Sequence, residues 1–167
     1  DFVAAAREIA RTDAHVHFAI VGNGERRAEL EARVAADGLT GRVHFLGWKR
    51  DLDPIYAGLD VVVLCSKNEG LPTALIEAQA AGLPVVSTPV GSVSEIVEEG
   101  VTGHMVQVGD IAGLAAKMLA LASDRDAGRA MGERGRQRMR SRYGVDRLVG
   151  DMDQLYTRLL AQKGVVA

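Results

Sequence analysis

Residues 61–87 have the sequence VVVLCSKNEGLPTALIEAQAAGLPVVS, and this stretch decides the fold class. A short apolar run at 61–64 precedes a polar loop, and a segment from Pro72 then places Leu75, Ile76 and Ala80 at helical spacing. Gly82 and Pro84 end that segment before a second apolar run, which begins at Val85. Continuous apolar strands are typical of parallel sheets that helices cover on both faces. The stretch therefore predicts a strand, a helix and a parallel strand.

The same alternation extends on both sides of this stretch. Further apolar runs, each followed by a polar or glycine-containing turn, lie at 17–21, 43–46 and 104–108. Between the first two, residues 25–37 carry Leu30 and Val34 on one helical face and stop at Gly38. Strands that alternate with helices in this way predict an α/β fold with a doubly wound parallel sheet.

Additional helices are predicted after Asp110, a residue suited to cap a helix N-terminus. Seven arginines follow between residues 125 and 142, interrupted by three glycines that weaken a rigid helix. We interpret this run as a solvated helix face, with contact to acidic lipid headgroups as the alternative. A last amphipathic helix is expected, with an apolar stripe formed by Leu148, Met152, Leu155, Tyr156 and Leu159.

Composition excludes several functional classes. The 167 residues include 20 basic and 22 acidic side chains, and the resulting net charge of −2 gives no global attraction for nucleic acid. The single cysteine, Cys65, excludes an internal disulfide framework and a zinc site built from cysteines. No apolar run reaches the roughly 18 residues that a membrane span needs. These features are typical of a cytoplasmic protein.

Two carboxylates in the central stretch are the strongest candidates for chemistry. Open α/β sheets bind ligands beyond the carboxyl ends of their strands, and the loop with Glu69 and the helix with Glu77 begin there. Gly70 lets the backbone approach a ligand, and free N–H groups around Thr73 and Ala74 form a positive pole for a phosphate. One carboxylate could accept hydrogen bonds from a vicinal diol and the other could stabilise positive charge. The alternative is a turn residue and a solvated helix residue.

The motifs around these glutamates resemble a known family. Seven residues separate Glu69 from Glu77 in EGLPTALIEAQAAGLPVV, residues 69–86. Matching segments are IVGNG at 20–24, VHFLG at 43–47, GSVSEIV at 91–97 and GVTG at 100–103. Together they resemble the C-terminal, nucleotide-sugar-binding lobe of the GT-B glycosyltransferases, in the large retaining group called family 4. The resemblance covers essentially the whole chain and implies a Rossmann-like fold.

The resemblance implies a function and a role for each glutamate. Such a lobe binds a nucleoside-diphosphate sugar, here a UDP- or GDP-sugar, whose sugar passes with retained configuration to a hydroxyl of a glycan or lipid-linked acceptor. Glu77 would bind the ribose hydroxyls, whereas Glu69 would be catalytic and support the oxocarbenium-like transition state. Members of the family generally need no bound metal, and we expect neither a metal nor a cofactor.

The resemblance also assigns further donor-binding positions. Backbone N–H groups of Gly70, Leu71, Thr73 and Ala74 would hold the sugar hydroxyls and the diphosphate. Pro72 stands where many members have glycine, so one N–H donor is absent. Two other segments would lie near the nucleotide: the glycine turn with Gly22 and Gly24, and the loop with Trp48 and Lys49, which would line the base pocket.

One departure concerns the start of the lobe. Family members carry an arginine and a lysine just after the first strand, whereas residues 2–10 here resemble the helix that follows. We therefore expect residues 1–167 to be a single donor-binding domain that lacks the first strand and the N-terminal acceptor lobe, and to be inactive alone. The first strand is central in a doubly wound sheet. Its absence predicts a gap between the strands of Ile20 and Val62, or a new pairing.

Two other functions stay open at this stage. The chain could be a noncatalytic subunit that binds a nucleotide sugar and is completed by a partner chain. It could also be an epimerase-type or dinucleotide-binding protein, although Gly22-Asn23-Gly24 is followed by Arg27 where a dinucleotide fingerprint has its third glycine. We expect a cytoplasmic protein, with the inner face of the membrane as the site of any peripheral contact.

Overall fold

The computed structural model describes residues 1–164 and confirms the α/β class. The strands are β1 (Phe18–Val21), β2 (Val43–Gly47), β3 (Val62–Leu64), β4 (Val85–Ser87) and β5 (Gly103–Met105). The helices are α1 (Phe2–Thr12), α2 (Arg27–Ala36), α3 (Asp53–Ala57), α4 (Thr73–Ala80), α5 (Val93–Ile96), α6 (Ile111–Ser123), α7 (Arg125–Tyr143) and α8 (Val145–Gln162). Each predicted apolar run contains a strand or overlaps one, because strands buried on both faces have continuous apolar sequences.

The strands form two parallel sheets. In the first, β1 pairs with β2, and in the second the order is β3-β4-β5. No ladder joins β1 to β3 within the described residues, so the gap is observed rather than a new pairing. A cavity of about 920 Å³ lies between them, lined among others by Ala19 of β1 and Val63 of β3. We call this cavity the central gap.

Strand β4 separates the two cores of the domain. Val85 and Val86 are both fully buried, and they point to opposite faces of the sheet. Val86 packs in the cluster that includes α1 and α6, whereas Val85 packs with Leu75 of α4 and Ile96 of α5. The chain is thus layered helix, sheet, helix, with the start of α4 at the carboxyl edge of the second sheet.

Two local expectations need correction. The last strand is Gly103–Met105 rather than 104–108. Because β4 ends at Ser87, the ladder ends with the hydrogen bond from the Val106 N–H to the Ser87 carbonyl, and the chain then turns. The glycines of the arginine run do not interrupt α7, which is continuous. Gly128, Gly132 and Gly135 are buried there. Gly128 and Gly132 let α7 lie close to neighbouring backbone, and Gly135 lies against the side chain of Gln79.

Arginines of α7 also anchor that helix, a role that the charge pattern did not predict. Arg136 donates to the carbonyl of Ala81 at the end of α4 over 2.9 Å, and Arg134 donates to the carbonyl of Val101 over 2.8 Å. Arg138 donates to the Glu95 carbonyl. Cations that meet carbonyls at a helix C-terminus are favoured by the helix dipole.

The apolar stripe of α8 faces solvent. No residue of this helix is buried, and Leu148 and Tyr156 are 61% and 56% exposed. Its amphipathic pattern was predicted, and the exposure of most of its apolar stripe was not. None of the described helices has both the length and the apolar character required to cross a membrane.

Gly132→Ala is expected to destabilise the domain. A Cβ at this position would lie 1.9 Å from the Gly82 carbonyl oxygen, so α7 must move away from the end of α4. We expect a loss of about 1–3 kcal/mol in the free energy of unfolding, measured by denaturant titration. The matched control is Gly150→Ala in α8, where a Cβ meets nothing within 4 Å. That change should be neutral or stabilising by about 0.5–1 kcal/mol, and an equal loss in both variants would contradict the packing argument.

The central gap predicts an alternating pattern of amide hydrogen exchange. The Phe18 N–H donates to the carbonyl of Arg42 just before β2, and the Val62 N–H donates to the carbonyl of Pro84 just before β4. Because alternate residues of a parallel strand face opposite neighbours, the N–H groups of Ala19 and Val63 point into the gap. In NMR-detected exchange these two amides should be less protected than those of Phe18 and Val62. Equal protection of all four would mean that the gap is closed in solution.

Candidate functional site

The loop between β3 and α4 carries Glu69, and α4 carries Glu77. Helix α4 begins at Thr73, so Pro72 immediately precedes the first turn instead of lying within it. No side chain caps this end of α4. The N–H groups of Thr73 and Ala74 therefore lie at an uncapped helix N-terminus at the carboxyl edge of the sheet, as the sequence predicted.

Glu77 lies midway along α4 with an exposed side chain. The hydroxyl of Tyr56, in α3, donates a hydrogen bond to Glu77 Oε2 over 3.0 Å. Burial, together with this hydrogen bond and the charge of Glu77, raises the pKa of Tyr56 to about 12. Sequence reasoning missed Tyr56, because it lies 21 positions from Glu77 and nothing in the local pattern joins the two.

Two cavities border Glu77. The smaller, about 530 Å³, is also lined by Tyr56, by Arg50 and Asp51 from the loop after β2, and by Ala80. The larger is the central gap, which Glu77 borders together with Thr73 and Ala74. The carboxylate of Glu77 and the first turn of α4 therefore border space large enough for a small ligand.

The other candidate residues lie around this centre without lining either cavity. Trp48 is 69% exposed, and the loop after β2 reaches the smaller cavity through Arg50 and Asp51 rather than through Trp48 and Lys49. The Gly22 N–H donates to the Gly47 carbonyl over 2.8 Å, which brings the turn with Gly22 and Gly24 beside the start of that loop. Glu69, Gly70 and Leu71 also lie outside both linings.

A turn formed by Gly91 and Ser92 packs against the loop that carries Glu69. The carbonyl of Gly70 accepts hydrogen bonds from Ser92 Oγ over 2.6 Å and from the Ser92 N–H over 3.2 Å. Gly91 has φ +56°, and a Cβ there would lie 1.9 Å from the Glu69 carbonyl oxygen. Only glycine fits this conformation and this close approach without strain. The contact holds the half-buried Glu69 in place relative to β4.

The chain is similar to a known protein family and to individual glycosyltransferases. The family described as glycosyl transferases group 1 matches residues 1–124. The chain belongs to this family. It is 30% identical over 149 residues to N-acetyl-alpha-D-glucosaminyl L-malate synthase of Bacillus anthracis. It is 32% identical over 148 residues to the lipopolysaccharide core biosynthesis glycosyltransferase LpsE of Rhizobium meliloti. Each match covers 89% of this chain.

The solved structures agree on the fold. The Anabaena protein Alr3699/HepE, crystallised with UDP, superposes with a TM-score of 0.85 at 22% identity and covers 95% of this chain. This confirms the Rossmann-like α/β fold of a GT-B lobe. The chain spans 39% and 42% of the length of the two relatives and 45% of HepE. It thus corresponds to less than half of each of these three proteins.

Across residues 1–164, histidine, cysteine, aspartate and glutamate side chains form no group of three that could hold a metal ion.

Ser92→Ala is expected to loosen the loop that carries Glu69. The variant loses the hydroxyl donor to Gly70 but keeps the backbone hydrogen bond, so its free energy of unfolding should fall by about 0.5–1.5 kcal/mol. Amide exchange in residues 68–71 should accelerate, measured by NMR. The control is Ser94→Ala, an exposed serine on α5. Unchanged exchange in the Ser92 variant would show that the hydroxyl does not restrain the loop.

Proposed function

We propose that residues 1–167 form the donor-binding lobe of a retaining glycosyltransferase of the type called family 4. The proposal rests above all on the position of Glu77, which borders two cavities, one of which also reaches the uncapped first turn of α4. A carboxylate accepts the paired hydrogen bonds of a vicinal diol, and a helix N-terminus attracts phosphate. A nucleoside diphosphate offers both groups on one molecule, and family membership favours this ligand.

In this proposal Glu77 accepts hydrogen bonds from the ribose hydroxyls. The diphosphate lies against the N–H groups of Thr73 and Ala74, and Arg50 adds a cation to the smaller cavity. Gly70 and Leu71 present backbone N–H groups to the sugar. The turn with Gly22 and Gly24 lies near the nucleotide, and Trp48 and Lys49 line the base pocket. No metal ion or cofactor is required, because the helix N–H groups, together with the arginine and lysine that family members carry after the first strand, would neutralise the leaving diphosphate.

Glu69 acts on the sugar. Its loop enters the site from the carboxyl end of β3, and Ser92 holds the backbone next to it through the Gly70 carbonyl, which limits how far the carboxylate moves while positive charge develops at the anomeric carbon. Preorganised charge of this kind stabilises an oxocarbenium-like transition state, and we propose that transfer proceeds with retention. The acceptor is a hydroxyl of a glycan or lipid-linked sugar, consistent with the polysaccharide-related name of LpsE.

The central gap has room for a further strand, which would belong to a longer protein. We propose that a first strand closes the gap between β1 and β3 and that an N-terminal lobe binds the acceptor, so that residues 1–167 alone bind the donor without transferring sugar. The open edges of β1 and β3 and the coverage of relatives support this division. The complete protein is then cytoplasmic, and any contact with the inner face of a membrane is peripheral.

Nucleotide binding is the first test of the proposal. We expect UDP or GDP, but not ADP or NAD, to raise the melting temperature of the chain, because a ligand that binds only the folded state stabilises it. UDP is tested first since HepE was crystallised with it. Glu77→Gln should weaken binding about a hundredfold, because charged hydrogen bonds to the ribose are lost. Glu69→Gln should spare nucleotide binding and abolish transfer in the longer protein.

The matched control is Glu133→Gln, an exposed glutamate on α7 away from both cavities, which should bind as the unmodified chain does. A shift with NAD alone would favour the dinucleotide-binding alternative. Donor binding that persists while the longer protein transfers no sugar would favour the noncatalytic subunit. Binding unaffected by Glu77→Gln would contradict the assignment of the site.

A further inference from the structure

The contact between Tyr56 and Glu77 joins two elements that are remote in the chain. The ring of Tyr56 packs with Val62, Leu64 and Ile76 against the second core cluster, so helix α3 presents its hydroxyl from a fixed position. That hydroxyl lies 3.0 Å from Glu77 Oε2, and both residues border both cavities. The aromatic ring is therefore structural, whereas its hydroxyl reaches the candidate site.

The carboxylate of Glu77 needs such a restraint. Its side chain is exposed on α4, and among residues 1–164 Tyr56 is the hydrogen-bond partner of its oxygens. A free glutamate samples several rotamers, and binding must then order it at an entropic cost. Donation to Oε2 selects one orientation and leaves Oε1, with its own lone pairs, open to a ligand.

The protonation state of Tyr56 suits it to donate. Because burial and the neighbouring carboxylate raise its pKa to about 12, the phenol keeps its proton throughout the physiological range. Throughout that pH range the phenol is therefore the donor of this hydrogen bond and the carboxylate is the acceptor.

We propose that Tyr56 is a positioning residue that preorganises Glu77 to receive the vicinal hydroxyls of the donor ribose. It acts through Glu77 and does not itself contact the ligand. The identity of that ligand rests on the proposed function, whereas the restraint on Glu77 does not.

Tyr56→Phe tests the proposal, because it removes the hydroxyl and keeps the ring. We expect the dissociation constant for UDP, or for GDP if that is the ligand that binds, to rise about three- to tenfold in titration calorimetry. In a Glu77→Ala background the same change should have no further effect, since the carboxylate it acts through is absent. The matched control is Tyr156→Phe on α8, an exposed tyrosine remote from the site.

A second measurement needs no ligand. In the free protein, NMR couplings of the Glu77 methylene protons should show one dominant rotamer, and Tyr56→Phe should make them average. If affinity falls equally in the single variant and in the Glu77→Ala background, Tyr56 contacts the ligand or acts on stability, and the positioning role is wrong. If neither nucleotide binds the unmodified chain, the proposed function fails. The couplings then decide the role of Tyr56, and unchanged couplings overturn it.

Discussion

Burial of β4 on both faces is the constraint on which this domain depends. Val85 and Val86 are adjacent and fully buried, so helices must cover each side of the sheet. That requirement places α1 and α6 on one face and α4 and α5 on the other. It also fixes α4 with its first turn at the carboxyl edge of the strands, which is where open α/β sheets bind ligands. The site is thus a consequence of how one strand is covered.

The central strand of the second sheet and its β3 edge differ in burial, and this difference shapes the site. Strand β4 has a neighbour on each side and is fully buried, whereas β3 is paired on one side only and is half-buried throughout. Its free edge faces the central gap, which also reaches Thr73, Ala74 and Glu77. Backbone groups along this edge remain available for pairing, because alternate residues of a parallel strand face opposite directions. The sheet and the candidate site are therefore open to the same cavity.

The candidate residues are held by contacts from elsewhere in the chain. Ser92 donates a hydrogen bond to Gly70 in the loop of Glu69, and Tyr56 donates one to the carboxylate of Glu77. The arginines of α7 attach that helix to carbonyls at the end of α4 and beyond. Functional groups placed on a loop and a helix need such support, because precision in a site comes from the residues that restrain the ones that react.

Sequence alone determined the alternation of strands and helices, the carboxylate pair at a strand end and the family resemblance. These features are local: periodicity and turn residues act within a few positions, and Glu69 and Glu77 belong to one strand–helix unit. Tertiary structure alone decided that Tyr56 meets Glu77 across 21 positions, that Arg50 and Asp51 rather than Trp48 line the smaller cavity, and that the glycines of α7 serve close packing. Those contacts depend on how whole elements pack, which composition and spacing do not encode.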